Sequence, residues 1–88
     1  MMWEVDNSKG FKVLRVSRKR MLERLGKYGC LGICDFCTDS PEYGYYVAVL
    51  NQWICQECYD EWLRSAINYL EDRNVEQRNY ETYKEILR

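Results

Sequence analysis

Two cysteine pairs constrain this 88-residue chain more than any other feature: Cys34-Asp-Phe-Cys37 and Cys55-Gln-Glu-Cys58, with 17 residues between them. Cysteines two residues apart present their sulfurs across one tight turn at roughly 3.8 Å, the edge of a tetrahedron with metal–sulfur bonds near ~2.3 Å. Residues 38 to 54 are long enough for a loop, two short strands and a turn, which returns the second pair beside the first. The array therefore predicts one structural zinc held by Cys34, Cys37, Cys55 and Cys58. A chain of this size needs such a staple, because it buries only roughly two thirds of its unfolded surface and its folding balance without a cross-link is close to zero.

Other uses of the cysteines fit less well. Two disulfides suit an oxidising compartment, whereas Glu4 and Asp6 stand where a secretory signal would be basic and then apolar. A redox pair would want a βαβ setting and would need only one Cys-x2-Cys. The chain has no histidine, which removes Ser-His and Cys-His nucleophile systems and His-ligated open zinc sites. Four thiolates saturate the ion and leave no position for water or substrate, so the expectation is non-enzymatic. Cys30, four residues before Cys34, is expected to be a free thiol.

The rest of the chain reads as a small α+β domain. Met2 to Asp6 and Phe11 to Val16 flank Asn7-Ser-Lys-Gly10, the turn chemistry of a hairpin. Ser17 is placed to cap a helix from Arg18 to about Lys27, with Val16 and Met21 as a hydrophobic staple and Met21, Leu22 and Leu25 facing the core. From Tyr45 to Leu50 the side chains alternate between two apolar faces, and Asn51-Gln52 is expected to turn the chain into Trp53-Ile54-Cys55. Tyr59, Trp62, Leu63, Ala66, Ile67 and Leu70 then recur at helical spacing over three turns. Asn74 and Gln77 resemble a capping box for a last helix with Tyr80, Tyr83 and Leu87 inside. The expected organisation is one zinc-stabilised unit over 1–88: an N-terminal hairpin and basic helix (1–29), the zinc module (30–72) and a C-terminal helix (73–88).

Ile33-Cys-Asp-Phe-Cys37 together with Trp53-Ile-Cys-Gln-Glu-Cys-Tyr-Asp60 resembles the zinc-binding domain of ClpX chaperones, in which a C-x-F-C knuckle is answered by an I-C-x-E-C-x-D helix start. The cysteine spacing is also similar to that of the DksA/TraR zinc fingers. The resemblance implies a treble-clef-like zinc finger (knuckle, β-hairpin, helix) with Cys34, Cys37, Cys55 and Cys58 as ligands. It covers about residues 32–67. It carries an expectation of docking or dimerisation but not of unfolding, since no ATPase segment follows Arg88 in this sequence, nor of polymerase secondary-channel action, since no long coiled coil precedes Cys34.

Function is expected from surfaces. Tyr43, Tyr45, Tyr46 and Trp53 gather on or near the second hairpin, and Tyr and Trp are favoured at interfaces. A protein-interaction module, adaptor or docking element, is the leading expectation, suited to an accessory protein of a bacterium, phage or mobile element. The alternative is a nucleic-acid-binding finger using Arg18, Arg20, Arg24 and Lys27, because residues 9–27 carry a surplus of seven positive charges while 57–88 carry three excess negative ones. Against it, the chain is acidic overall, with pI near 5.4, and has no Lys or Arg from residue 29 to 62. No apolar run approaches a membrane span, and a cytoplasmic location is expected.

Overall fold

A computed structural model describes residues 2–88; Met1, the first residue of the expected N-terminal unit, lies outside them. Four strands form one antiparallel sheet in the order β1-β2-β3-β4: β1 Met2–Val5, β2 Val13–Ser17, β3 Tyr43–Val47 and β4 Gln52–Ile54. Helix α1 (Arg18–Leu25) follows β2, α2 (Gln56–Ser65) follows β4, and α3 (Arg73–Leu87) closes the chain.

The first hairpin forms where the turn chemistry places it. Asn7 Oδ1 accepts from the backbone N–H groups of Lys9 (3.1 Å) and Phe11 (3.0 Å), its amide donates to Phe11 O (2.8 Å), and Gly10 adopts φ +74°. A short polar side chain that bonds its own backbone, followed by a residue free to turn left-handed, is sufficient to reverse the chain. Ser17 caps α1 through a 3.1 Å bond from Arg20 N, as its type predicts. Val16 and Met21 are both buried in one apolar cluster, while Leu22 is only half-buried. The helix stops at Leu25, and a single 3-10 turn, Gly26–Tyr28, carries Lys27 off its axis.

The two hairpins join into one sheet because β2 pairs along its length with β3, from Val13 opposite Val47 to Ser17 opposite Tyr43. This makes β2 and β3 central strands buried on both sides, with Val13, Leu14, Val16, Tyr46 and Val47 at 2% exposure or less. Alternation sorts them. Leu14, Val16, Tyr46 and Trp53 face Met21 and Leu25 of α1 and Tyr80 and Leu87 of α3. Val13, Tyr45, Val47 and Ile54 face Phe11 and Tyr59, with Trp62 and Leu63 of α2 packed around them. The strand β3 begins two residues before the expected Tyr45 and ends at Val47. The reversal occupies Ala48 to Asn51, with Leu50 N bonded to Val47 O and Asn51 N to Ala48 O, and Asn51 itself takes φ +55°.

Helix α2 also ends early. Ala66 is extended (φ −68°, ψ 143°), and Ile67 and Leu70, expected on the inner face, are 64% and 72% exposed. The cause is a tertiary contact: Lys9 Nζ bonds the carbonyls of Arg64 (3.1 Å) and Ala66 (2.8 Å), and Asn68 Nδ2 bonds Lys9 O (2.7 Å). A cation on the last carbonyls satisfies the helix end and complements its dipole. Helix α3 starts at Arg73 without the expected capping box. It docks through polar side chains that bond the backbone flanking the central strands, Glu76 Oε2 accepting from Lys12 N (3.0 Å) just before β2 and Asn79 Nδ2 donating to Ala48 O (3.0 Å) just after β3. Arg20 Nη1 reaches the Leu87 carbonyl at its far end (3.1 Å).

The tightest approach in the sheet is Gly44 beneath the Trp53 indole, where a Cβ would lie 2.5 Å from Cε2. Trp53 cannot retreat, because its indole N–H donates to the buried Val16 carbonyl (3.2 Å). Gly44→Ala is therefore expected to cost about 1–3 kcal/mol of stability through overpacking. Gly26→Ala, at φ −54° with open space around the position, is expected to be neutral or to stabilise by up to about 1 kcal/mol. Urea unfolding of the two metal-loaded variants distinguishes these outcomes.

Candidate metal centre

The four cysteines of the two pairs converge, each Sγ lying within 4.8 Å of the other three. Cys37 Sγ and Cys55 Sγ are 3.6 Å apart, close to the edge of a tetrahedral four-sulfur site. Three elements deliver them. Residues 34–37 fold into a tight knuckle, with Thr38 N bonded to Cys34 O (2.9 Å) and Cys34 N bonded to Asp39 O (2.7 Å). Strand β4 carries the chain into Cys55, which sits at the cap position of α2, and the first turn of that helix presents Cys58. Thr38 takes φ +65°, a left-handed conformation costly for a β-branched residue, and its hydroxyl bonds the Cys37 carbonyl (2.6 Å).

A reciprocal pair of bonds fixes the knuckle to the sheet. Asp35 N donates to Trp53 O (3.0 Å), and Trp53 N donates to Asp35 Oδ2 (3.0 Å). The central Asp of the first Cys-x2-Cys is thus the residue that registers one ligand pair against the other. In the sequence Asp35 stands out only as part of the Cys-x2-Cys motif; nothing in its spacing marks which strand it will meet.

The sulfur environments differ. Cys34 and Cys55 are buried, Cys58 is half-buried and Cys37 is exposed. Burial alone would push the Cys34 thiol up, but backbone N–H groups of Cys37, Cys55 and Phe36 directed at its sulfur win and bring it down to about 7. The N–H bonds from Phe36 and Cys37 measure 3.4 and 3.5 Å. Cys58 moves the opposite way, raised first by desolvation and then by the neighbouring cysteine sulfurs. Cys37 is also raised: a backbone bond at Asp39 favours its thiolate, and the adjoining thiols together with desolvation outweigh it. One early thiolate beside reluctant neighbours is what a four-sulfur cluster does when its charge is uncompensated, and a divalent cation removes the conflict. The donor set thus fits a soft, tetrahedral, closed metal site.

The remaining candidates are dispersed. Tyr45, Tyr46 and Trp53 are buried, so the expected partner surface on the second hairpin does not form; both hairpin faces are occupied by this chain's own helices. Tyr43 is half-buried and lies at the sheet's rim. Of the basic residues, Arg18 Nε donates to Gly32 O (2.8 Å) and Arg20 is bonded to Leu87 O, while Arg24 and Lys27 are exposed. Lys27 lies beyond α1, in the 3-10 turn, so it does not share a helix face with Arg20 and Arg24. Cys30 stands apart from the metal cluster, half-buried against the α1–α3 core. Among the described residues, no helix is long and apolar enough to cross a membrane.

Comparison of the chain with protein-family models, with curated proteins and with solved structures finds no match. The likeness to the ClpX domain and the DksA/TraR fingers therefore stays with the motif residues that carry it.

Because Cys37 and Cys58 hold their protons at neutral pH in the metal-free cluster, metal binding must displace them. Zinc affinity should rise with pH from about 6 to about 8, with about two or more protons released per ion at pH 7. Titration calorimetry in buffers of different ionisation enthalpy measures that number. Asp35→Ala, which unlocks the knuckle, should weaken zinc by about tenfold or more. Cys34→Ser should abolish stoichiometric binding, and Cys30→Ser should leave it unchanged.

Proposed function

We propose that this chain is a non-enzymatic interaction module whose fold is held by one structural Zn2+ on Cys34, Cys37, Cys55 and Cys58. The carrying observation is the convergence of four sulfurs within 4.8 Å, an all-cysteine donor set that fills a tetrahedral ion and leaves it no position for chemistry. The order of knuckle, hairpin β3–β4 and ligand-bearing helix α2 supports reading the site as treble-clef-like. The ion ties residues 34–37 to the far end of the hairpin, and binding of this kind contributes on the order of 10 kcal/mol to folding.

The experiment is chelation. Removal of zinc should abolish cooperative thermal unfolding and the near-ultraviolet signal of the buried Trp53, and stoichiometric zinc should restore both. A metal-free chain that retains them would refute a structural role for the ion.

Nucleic-acid binding is the weaker reading, since two of its four candidate cations are consumed by internal carbonyls. Any affinity for DNA should rest on Arg24 and Lys27, and should fall about tenfold or more between about 50 and about 200 mM salt. Shift assays with Arg24→Gln/Lys27→Gln check this without disturbing the α3 cap that Arg20 provides.

A further inference from the structure

The sheet is not covered to its rim. Helix α2 and Phe11 lie over Val13, Val47 and Tyr45, but on the same face, where β1, β2 and β3 run out together, Trp3 remains 42% exposed. Trp3 is paired with Arg15, and Tyr43 sits diagonally across on the next strand. The Arg15 guanidinium carbon lies 5.3 Å from the Trp3 ring centre and 4.7 Å from that of Tyr43, with the two rings 5.6 Å apart at 42°.

Arg15 differs in this from the other ordered arginines on its side of the chain. Arg18 and Arg20 spend their N–H groups on carbonyls, whereas no carboxylate and no hydrogen-bond acceptor reaches Arg15 among the described residues. Among the described residues its guanidinium lies against the two rings. A guanidinium held against rings has already given up much of its rotational freedom and still carries five donors suited to a planar oxyanion. Trp, Tyr and Arg are also the side chains that dominate binding energy at protein interfaces.

We propose that Trp3, Arg15 and Tyr43 form a recognition site for a carboxylate on an extended acidic segment of a partner protein. This deepens the reading as an interaction module, and rests on it, by naming the surface. Two observations select a protein segment over a polyanion. β1 is an edge strand that pairs with β2 alone among the described strands, so an extended chain can lie beside Trp3 and direct an alternate side chain over the ring toward Arg15. Beyond Tyr43 the positive charge does not continue as a free track: the surface hollow there is lined by Arg18, Lys19 and Arg20, but Arg18 and Arg20 are bonded to internal carbonyls and Glu23 and Glu42 line the same hollow. A single uncompensated guanidinium matches one carboxylate, and a phosphate backbone requires several cations in a row.

The test uses the full zinc-loaded chain and a short β-prone peptide, acetyl-Thr-Val-Glu-Val-Thr-amide, with its Glu→Gln twin as the neutral control. Amide and indole resonances of the protein are followed on titration. The acidic peptide should shift the Trp3 indole and Arg15 signals and bind about tenfold or more tightly than the neutral twin. Arg15→Gln and Trp3→Ala should each remove that preference, and Arg24→Gln should keep it. No binding of the acidic peptide, equal binding of the twin, or equal loss in Arg24→Gln would overturn the proposal. So would an oligouridylate that shifts Trp3 more strongly than the peptide does, which would assign the site to single-stranded nucleic acid. Zinc content is measured in every sample, so failure at Arg15 with one ion per chain leaves the structural-zinc reading standing.

Discussion

Four cysteine sulfurs that converge within 4.8 Å form an arrangement that repels itself once more than one is ionised, and everything around it is built to make that convergence unavoidable. The knuckle aims N–H groups at Cys34, the helix start places Cys55 and Cys58 one turn apart, and the Asp35–Trp53 bonds set the distance between the pairs. The protein supplies geometry and one ready thiolate; a cation supplies the compensating charge. On the proposed reading neither is sufficient alone, and the fold and the metal are coupled.

The coupling reaches the core through Trp53. Its backbone receives the knuckle, its indole N–H holds the β2 carbonyl of Val16, and its ring rests on Gly44 of β3. A disturbance at the knuckle therefore arrives directly at the two central strands, whose side chains on both faces anchor all three helices. A chain of 88 residues buries both sides of a sheet only by making its helices short and its docking polar. Glu76, Asn79 and Arg20 each bond a backbone group, fixing orientation where there is little apolar area to do so.

What was legible in the sequence was what short-range chemistry decides. The cysteine spacing, the Asn7–Gly10 turn and the Ser17 cap are local rules, and each is obeyed in place. The alternation of Tyr45, Tyr46, Val47 and Ala48 correctly divides two faces, but periodicity carries no information about what covers a face: α1 and α3 cover one and α2 the other. The pairing of β2 with β3 joins segments some thirty residues apart in sequence across an intervening helix, and nothing local specifies it. The end of α2 is illegible in the sequence for the same reason. Helical spacing continues through Ile67 and Leu70, and it is Lys9, from the opposite end of the chain, that terminates the helix. Asp35 was invisible as a registering residue because its partner is a strand backbone, which leaves no mark in the sequence.

The same two-sided burial decides where this molecule can meet another. An aromatic-rich hairpin looks like an interface when read along the chain, yet Tyr45, Tyr46 and Trp53 are needed inside, where Tyr45 stacks on Tyr59 at 4.3 Å and Tyr46 on Tyr83 at 4.5 Å. With ten residues, α2 spans roughly 15 Å and begins at the four-cysteine site, so its cover runs over the β3–β4 side of the sheet and toward the Asn7 turn and leaves Trp3 at the opposite rim exposed. At that rim Trp3 and Tyr43 pack against Arg15. The sheet's uncovered corner is thus a consequence of anchoring the covering helix at the four-cysteine site: the geometry that brings the sulfurs together also determines which aromatic residues remain exposed.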